Sequence, residues 1–254
     1  MKPLWKNTPD KMGQLIPTLN QQGFMTTVLD PYTNVFIRSL SGSKDPVLEI
    51  GTAYGIATLA MLNNNINVIA NDLEKQHLDI LKDNVPEERS HLIEYRSGDF
   101  RNLAIANNSL AGILTIRVLH FFSGDIIEKS LQQFYQWLKP GGQLCLVVDS
   151  PYMKHLNRLL PIFEQRLAQG EEWPGHFDNY HDLLDVKYKD KLPDFMNLQS
   201  IETLKRATEK QGFQVKKIGF CERPDYPDDV RLDGRENVGI ICIKPNTLSS
   251  EVQP

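Results

Sequence analysis

The sequence is poor in cysteine: three among 254 residues, an odd number with no close spacing, which excludes a disulfide framework and a thiolate zinc site. Cys145, Cys221 and Cys242 each sit in an apolar segment and read as buried thiols in a reducing cytoplasm. No apolar run approaches the ~20 residues of a membrane span, and the opening Met1-Lys-Pro-Leu-Trp-Lys-Asn-Thr8 lacks the apolar centre of a secretory leader. Neither charge dominates. The net charge of −4 gives no general pull towards nucleic acid or an anionic bilayer. Repeats and low-complexity segments are absent too. What remains, 41% hydrophobic and 24% charged residues, suits one large domain able to bury a full core.

What is present is organised around Asp45-Pro-Val-Leu-Glu-Ile-Gly-Thr-Ala-Tyr-Gly-Ile-Ala-Thr58. Val47, Leu48 and Ile50 form the apolar run of a buried parallel strand. Gly51 to Gly55 make a small-residue turn, and a helix is predicted over 56–63. Such a turn offers backbone N–H groups to a carboxylate or phosphate. Strands are predicted at 67–71, 91–96, 111–117 and 143–148, with helices at 75–84 and 125–138, the latter capped by Ser123. Lys139-Pro-Gly-Gly142 reads as a turn. The alternation is that of an α/β, Rossmann-like, doubly wound and mostly parallel sheet.

Upstream, residues 1–24 look polar and irregular. Helical spacing over 26–40 predicts a helix that packs on the body or closes as a lid, with Tyr32 as a substrate wall and Pro31 in its first turn or breaking it. The expected organisation is a single domain over 1–254, with an N-terminal lid (1–44) and an insertion at 151–198. That insertion follows a strand end, where ligands bind in this architecture. It should hold a helix over 153–169, and His176 and His181, near Trp173 and Tyr180, are candidate substrate residues. Ser200 should cap a helix to Gln211. Segments 213–221 and 238–244 read as an antiparallel strand pair joined by an acidic loop, followed by a frayed tail from Thr247.

A dinucleotide fingerprint needs Gly-x-Gly-x-x-Gly after the first strand, and Gly51-x-Ala53-x-Gly55 is not that. The turn resembles instead the Glu/Asp-x-Gly-x-Gly-x-Gly turn of class I S-adenosylmethionine-dependent methyltransferases, with Ala53 at the middle glycine. Asp72 ending the second strand, Gly98-Asp-Phe100 after the third, Arg117-Val-Leu-His120 after the fourth and the Pro-Gly-Gly turn follow in the family's order. The resemblance implies a seven-stranded sheet of order 3-2-1-4-5-7-6 with strand 7 antiparallel, and S-adenosyl-L-methionine as cofactor. It implies that Glu49, Gly51, Ala53 and Gly55 cradle the methionine end, with Glu49 towards the ammonium. By the same resemblance Asp72 takes the ribose hydroxyls beside Leu73, Asp99 and Phe100 hold the adenine, and Arg117 anchors the methionine carboxylate.

His120, just past the fourth strand, has a side chain suited to a general base and is the catalytic candidate. No metal is expected. The Asn/Asp-Pro-Pro-aromatic loop of nucleic-acid amine methyltransferases and the Pro-Cys of cytosine-C5 enzymes are both missing. The expectation is therefore methyl transfer to oxygen or nitrogen of a small-molecule substrate, without nucleic acid or membrane, by a cytoplasmic monomer or homodimer. The alternatives are a cofactor-binding regulatory or interaction module, or an NAD-dependent oxidoreductase.

Overall fold

The computed structural model describes residues 15–20, 23–184 and 193–246. The tail from Thr247 and most of the polar N-terminal stretch lie outside the described residues. Seven strands form the central sheet: β1 (Val47–Ile50), β2 (Val68–Asp72), β3 (Ile93–Ser97), β4 (Leu110–Ile116), β5 (Leu138–Asp149), β6 (Gln214–Cys221) and β7 (Asn237–Ile243). Their order is β3-β2-β1-β4-β5-β7-β6, with β7 antiparallel to both neighbours and the first five parallel. This is the order implied by the resemblance.

Because successive strand residues face opposite sides, β1 serves two cores. Leu48 and Ile50 join Ile113, Leu146 and Val148 on one face, under α4 (Gly124–Trp137) and α6 (Ile201–Lys210). Val47 joins Leu114, Cys145 and Val147 on the other, under α1 (Pro31–Ser39), α2 (Ile56–Asn63) and α3 (Lys75–Asn84). All three cysteines are free and buried.

The helix predicted over 26–40 begins only at Pro31. Asp30 caps it, its Oδ1 accepting the N–H groups of Tyr32 (2.8 Å) and Thr33 (2.9 Å), and a proline at the first helical position needs no N–H partner. Tyr32 is core rather than a pocket wall. It lies flat on β7, where a Cβ added at Gly239 would come 2.2 Å from its ring, and burial pushes its phenol up to about 12. Lys139-Pro-Gly-Gly142 is likewise not a plain turn. It bulges within β5, where the register against β4 jumps from Leu110↔Leu138 to Gly112↔Gln143 and Gly141 takes φ +78°.

Two segments cover the C-terminal edge of the sheet. A short hairpin pairs Ile16–Pro17 with Phe24–Met25 and packs on Tyr54. The insertion has a satellite core of Met153, Leu156, Phe163, Phe177, Met196 and Leu198, which also takes in Tyr226 and Val230 from the loop between β6 and β7. Its expected long helix is broken into a 3₁₀ turn (Lys154–Leu156) and α5 (Leu160–Ala168), with Pro161 starting the second piece. Ser200 and Thr203 form a reciprocal capping box at α6.

Candidate cofactor and substrate site

A cavity of about 500 Å³ opens over the C-terminal ends of β1, β2, β4 and β5, beneath the hairpin and the insertion. The turn after β1 forms its floor. Gly51 takes φ +74°, and a Cβ there would lie 2.4 Å from Cγ2 of Val118, so only glycine keeps this edge open. Ala53 also takes a left-handed conformation (φ +46°), which a glycine would hold with less strain. Its N–H donates to Asp72 Oδ2 at 2.8 Å, fixing the turn against the tip of β2.

Asp72 gathers further donors. Its Oδ1 accepts the Glu74 N–H (2.8 Å) and His77 Nδ1–H (3.0 Å), while His77 Nε2 accepts the Leu19 N–H (3.0 Å). That last bond sets the tautomer: the His77 proton sits on Nδ1 and points at Asp72. Next to Asp72, Leu73 is 59% exposed, an apolar surface presented to the cavity. Asp99 is held by Arg101, whose Nε lies 2.9 Å from both carboxylate oxygens, and those bonds lower its pKa. Phe100 does two jobs, bordering the cavity and packing edge-on against Phe122 at 5.8 Å.

Glu49 is 3% exposed, and its carboxyl accepts a hydrogen bond from Thr58. Burial raises its pKa to about 8, the Thr58 bond opposing and Asp72 reinforcing the shift. Desolvation keeps this carboxyl protonated at neutral pH, and an opposite charge brought to the cavity wall would favour its ionised form.

Beyond the turn, Arg117 bends at φ +56° and its Nη1 donates to the Tyr226 hydroxyl at 2.8 Å. Tyr226 donates to Asn237 Oδ1 (3.1 Å), and Asn237 Nδ2 donates to Asp149 Oδ1 (2.7 Å). His120, 2% exposed, accepts the Asp149 N–H on Nδ1 at 3.1 Å. Its neutral ring therefore carries the proton on Nε2, which makes no bond among the described residues. Burial lowers its pKa; Asp149 opposes and Arg117 adds to the effect. His155 also borders the cavity, its Nδ1 buried without a hydrogen-bond partner and its pKa lowered first by burial.

Residues 47–142 match the model of a methyltransferase domain family. Over that stretch the chain is similar to a methyltransferase domain, and its seven-stranded fold is that of the class I methyltransferases. No curated protein matches it. Among solved structures it is similar to an S-adenosylmethionine-dependent methyltransferase from Methanosarcina mazei, at 15% identity and TM-score 0.65, over 86% of this chain and 100% of that one. It is also similar to one from Listeria monocytogenes, at 15% identity and TM-score 0.59, over 85% and 99%. A third is the structure of a Haloferax volcanii methyltransferase with its Trm112 activator, at 14% identity and TM-score 0.56, over 85% and 89%. Identities this low speak for the fold alone. The cofactor indicated by a methyltransferase domain of this class is S-adenosylmethionine, and the residues present fit it: a buried carboxyl at Glu49, a side-chain-free edge at Gly51, and Asp72 beside exposed Leu73.

The cavity thus brings together Glu49, Gly51, Ala53, Asp72, Leu73, Asp99, Phe100, Arg117 and His120. Gly55 is not on its wall; it starts α2 at φ +83°, and a Cβ there would strike Leu81 at 2.2 Å. Tyr32, His176 and His181 are also elsewhere, the histidines pairing with Asp178 (3.1 Å) and Asp194 (2.9 Å) at the surface of the insertion. Residues that sequence reasoning passed over include His155, Asp149, Tyr226 and Arg223. The only hint was positional: Asp149 ends the fifth strand, and Arg223-Pro-Asp-Tyr226 interrupts an otherwise acidic loop.

Proposed function

We propose that the protein is an S-adenosylmethionine-dependent methyltransferase acting on oxygen or nitrogen of a small-molecule acceptor. The observation that supports this best is one covered cavity, in which the Glu49–Asp72 cradle continues into a far end made by the insertion and the Tyr226 loop. A pocket of this volume suits a cofactor with a small acceptor rather than a polymer laid across an open face. We read the chain as a single domain, with the hairpin and the insertion closing the site.

In this reading Glu49 holds the ammonium of the methionine end, Asp72 the ribose hydroxyls and Asp99 the adenine amino group. The cofactor supplies an activated methyl group, so the protein's share is alignment and exclusion of water. His120 acts as a hydrogen-bond donor through Nε2–H, since its Nδ1 lone pair is taken by Asp149. His155, kept neutral by burial, is the imidazole available to receive the acceptor's proton.

Calorimetric titration with S-adenosylmethionine, S-adenosylhomocysteine and NAD, followed by turnover on a panel of hydroxy and amino metabolites, tests the reading. Binding of the first two and methylation of at least one panel member is expected. Heat with NAD alone would point to an oxidoreductase. Cofactor binding with no turnover across the panel would favour an interaction module.

A further inference from the structure

Two arginines flank the Tyr226 ring, with guanidinium carbons 5.8 Å (Arg117) and 4.7 Å (Arg223) from its centroid. Their charges are treated differently. Arg223 is buried and neutralised by Asp225, through bonds of 2.9 Å from Nε and 2.7 Å from Nη2, and it also reaches Thr26 and Asn237. Arg117 makes one side-chain hydrogen bond among the described residues, to the Tyr226 hydroxyl, and has no carboxylate partner there. Asp149, on the same wall, is bonded to Asn237 instead. A partly buried guanidinium without a counter-charge is costly, and a bound anion relieves that cost.

The direction of the side chain decides which anion. The cradle lies at the tips of β1 and β2, around Gly51, Ala53 and Asp72. Arg117 leaves the tip of β4 the other way, towards Tyr226 and Asn237 at β7. Its backbone is held there in a left-handed conformation rare for arginine, with its N–H bonded to Val147 O at 2.6 Å. Around this fork Met153, Leu156, Met196 and Val230 make an apolar wall, with His155 and Asp149 its polar neighbours.

Building on the methyltransferase reading, we propose that Arg117, clamped by Tyr226, binds a carboxylate of the acceptor, and that the acceptor is a small carboxylic acid with an apolar or aromatic body. The planar fork matches a carboxylate through paired N–H bonds, which a neutral amide cannot reproduce.

The test uses the full chain loaded with S-adenosylhomocysteine, titrated with benzoate and hexanoate against benzamide and hexanamide. The acids should bind about tenfold or more tightly than their amides. Arg117→Gln should abolish that preference while S-adenosylhomocysteine affinity stays within about twofold. Arg117→Lys, which keeps the charge but not the fork, should retain part of the preference. Should the glutamine variant fail to fold, the acid–amide comparison in the wild type still decides. Equal affinity of acids and amides overturns the proposal. So does a glutamine variant that loses S-adenosylhomocysteine but keeps 5′-methylthioadenosine, which has no carboxylate, because Arg117 would then serve the cofactor. No heat with S-adenosylhomocysteine in the wild type overturns the methyltransferase reading and this proposal together.

Discussion

The proposed pairing of Glu49 with the cofactor's ammonium predicts that cofactor binding is linked to a proton. With its pKa near 8 before the cofactor arrives, the carboxyl carries about 0.9 proton at pH 7. An ion pair with the cofactor's ammonium requires the ionised form, so binding expels that proton. The ammonium, with an ordinary α-amino pKa of about 7.8, takes up about 0.1 proton at the same pH, leaving a net release of about 0.8. Affinity follows the product of ionised Glu49 and protonated amine. It should rise about eightfold from pH 6 to 7 and two- to threefold more to pH 8, then fall. Calorimetry with S-adenosylhomocysteine in phosphate and in Tris, buffers of different ionisation heat, counts the protons directly. Glu49→Gln should remove the release and flatten the rise below pH 8. The same shift acts on the fold without cofactor. The folded-state pKa of about 8 is raised from 4.5, so the stability contributed by protonated Glu49 is complete below pH 4.5 and is lost as pH climbs to 8. The loss is at most about 5 kcal/mol. Glu49→Gln should therefore raise the melting temperature of the cofactor-free protein at pH 8. A flat affinity between pH 6 and 8, with no proton exchanged, would refute the reasoning.

Three further outcomes are expected. Asp72→Asn should weaken S-adenosylhomocysteine by about 1–3 kcal/mol through a lost charged acceptor; unchanged affinity by calorimetry would remove Asp72 from the ribose. His77→Ala deletes the acceptor of the Leu19 N–H, and hydrogen exchange should show faster exchange at Leu19 and the hairpin, with the central strands unaffected. Arg223→Met leaves Asp225 buried without its partner and should cost about 3–5 kcal/mol in urea unfolding.

The strands and the Gly51 turn were legible because they are local, whereas the strand order and the cradle roles came from the family resemblance those local features carry. The apolar run at Val47–Ile50, the acid ending β2 and Gly51 each act within a few residues of their own position. Tyr32 was misplaced for a physical reason: helical spacing identifies a packed face but not its partner, and that partner is Gly239, far along the chain. His176 and His181 are aromatic neighbours of real core residues, yet their rings turn to nearby aspartates. The far end of the cavity was illegible because it is assembled from β4, the insertion and the β6–β7 loop. No local pattern links Arg117 to Tyr226, which meet only through the fold. His120 was placed correctly at the strand tip, but which nitrogen holds its proton depends on Asp149, and only coordinates give that.

The bond from Arg223 Nη2 to Thr26 Oγ1 joins positions 197 apart, and β7 enters the sheet between β5 and β6. During synthesis the hairpin and the cradle residues precede the β6–β7 loop, so the roof is completed only with that strand pair. A nascent chain can lay down β1 to β5 and still have an unfinished chamber, because Tyr226 and Asn237 are not yet in place. The ability to enclose a ligand is thus acquired last, and ligand capture by chains released at increasing lengths would report that moment.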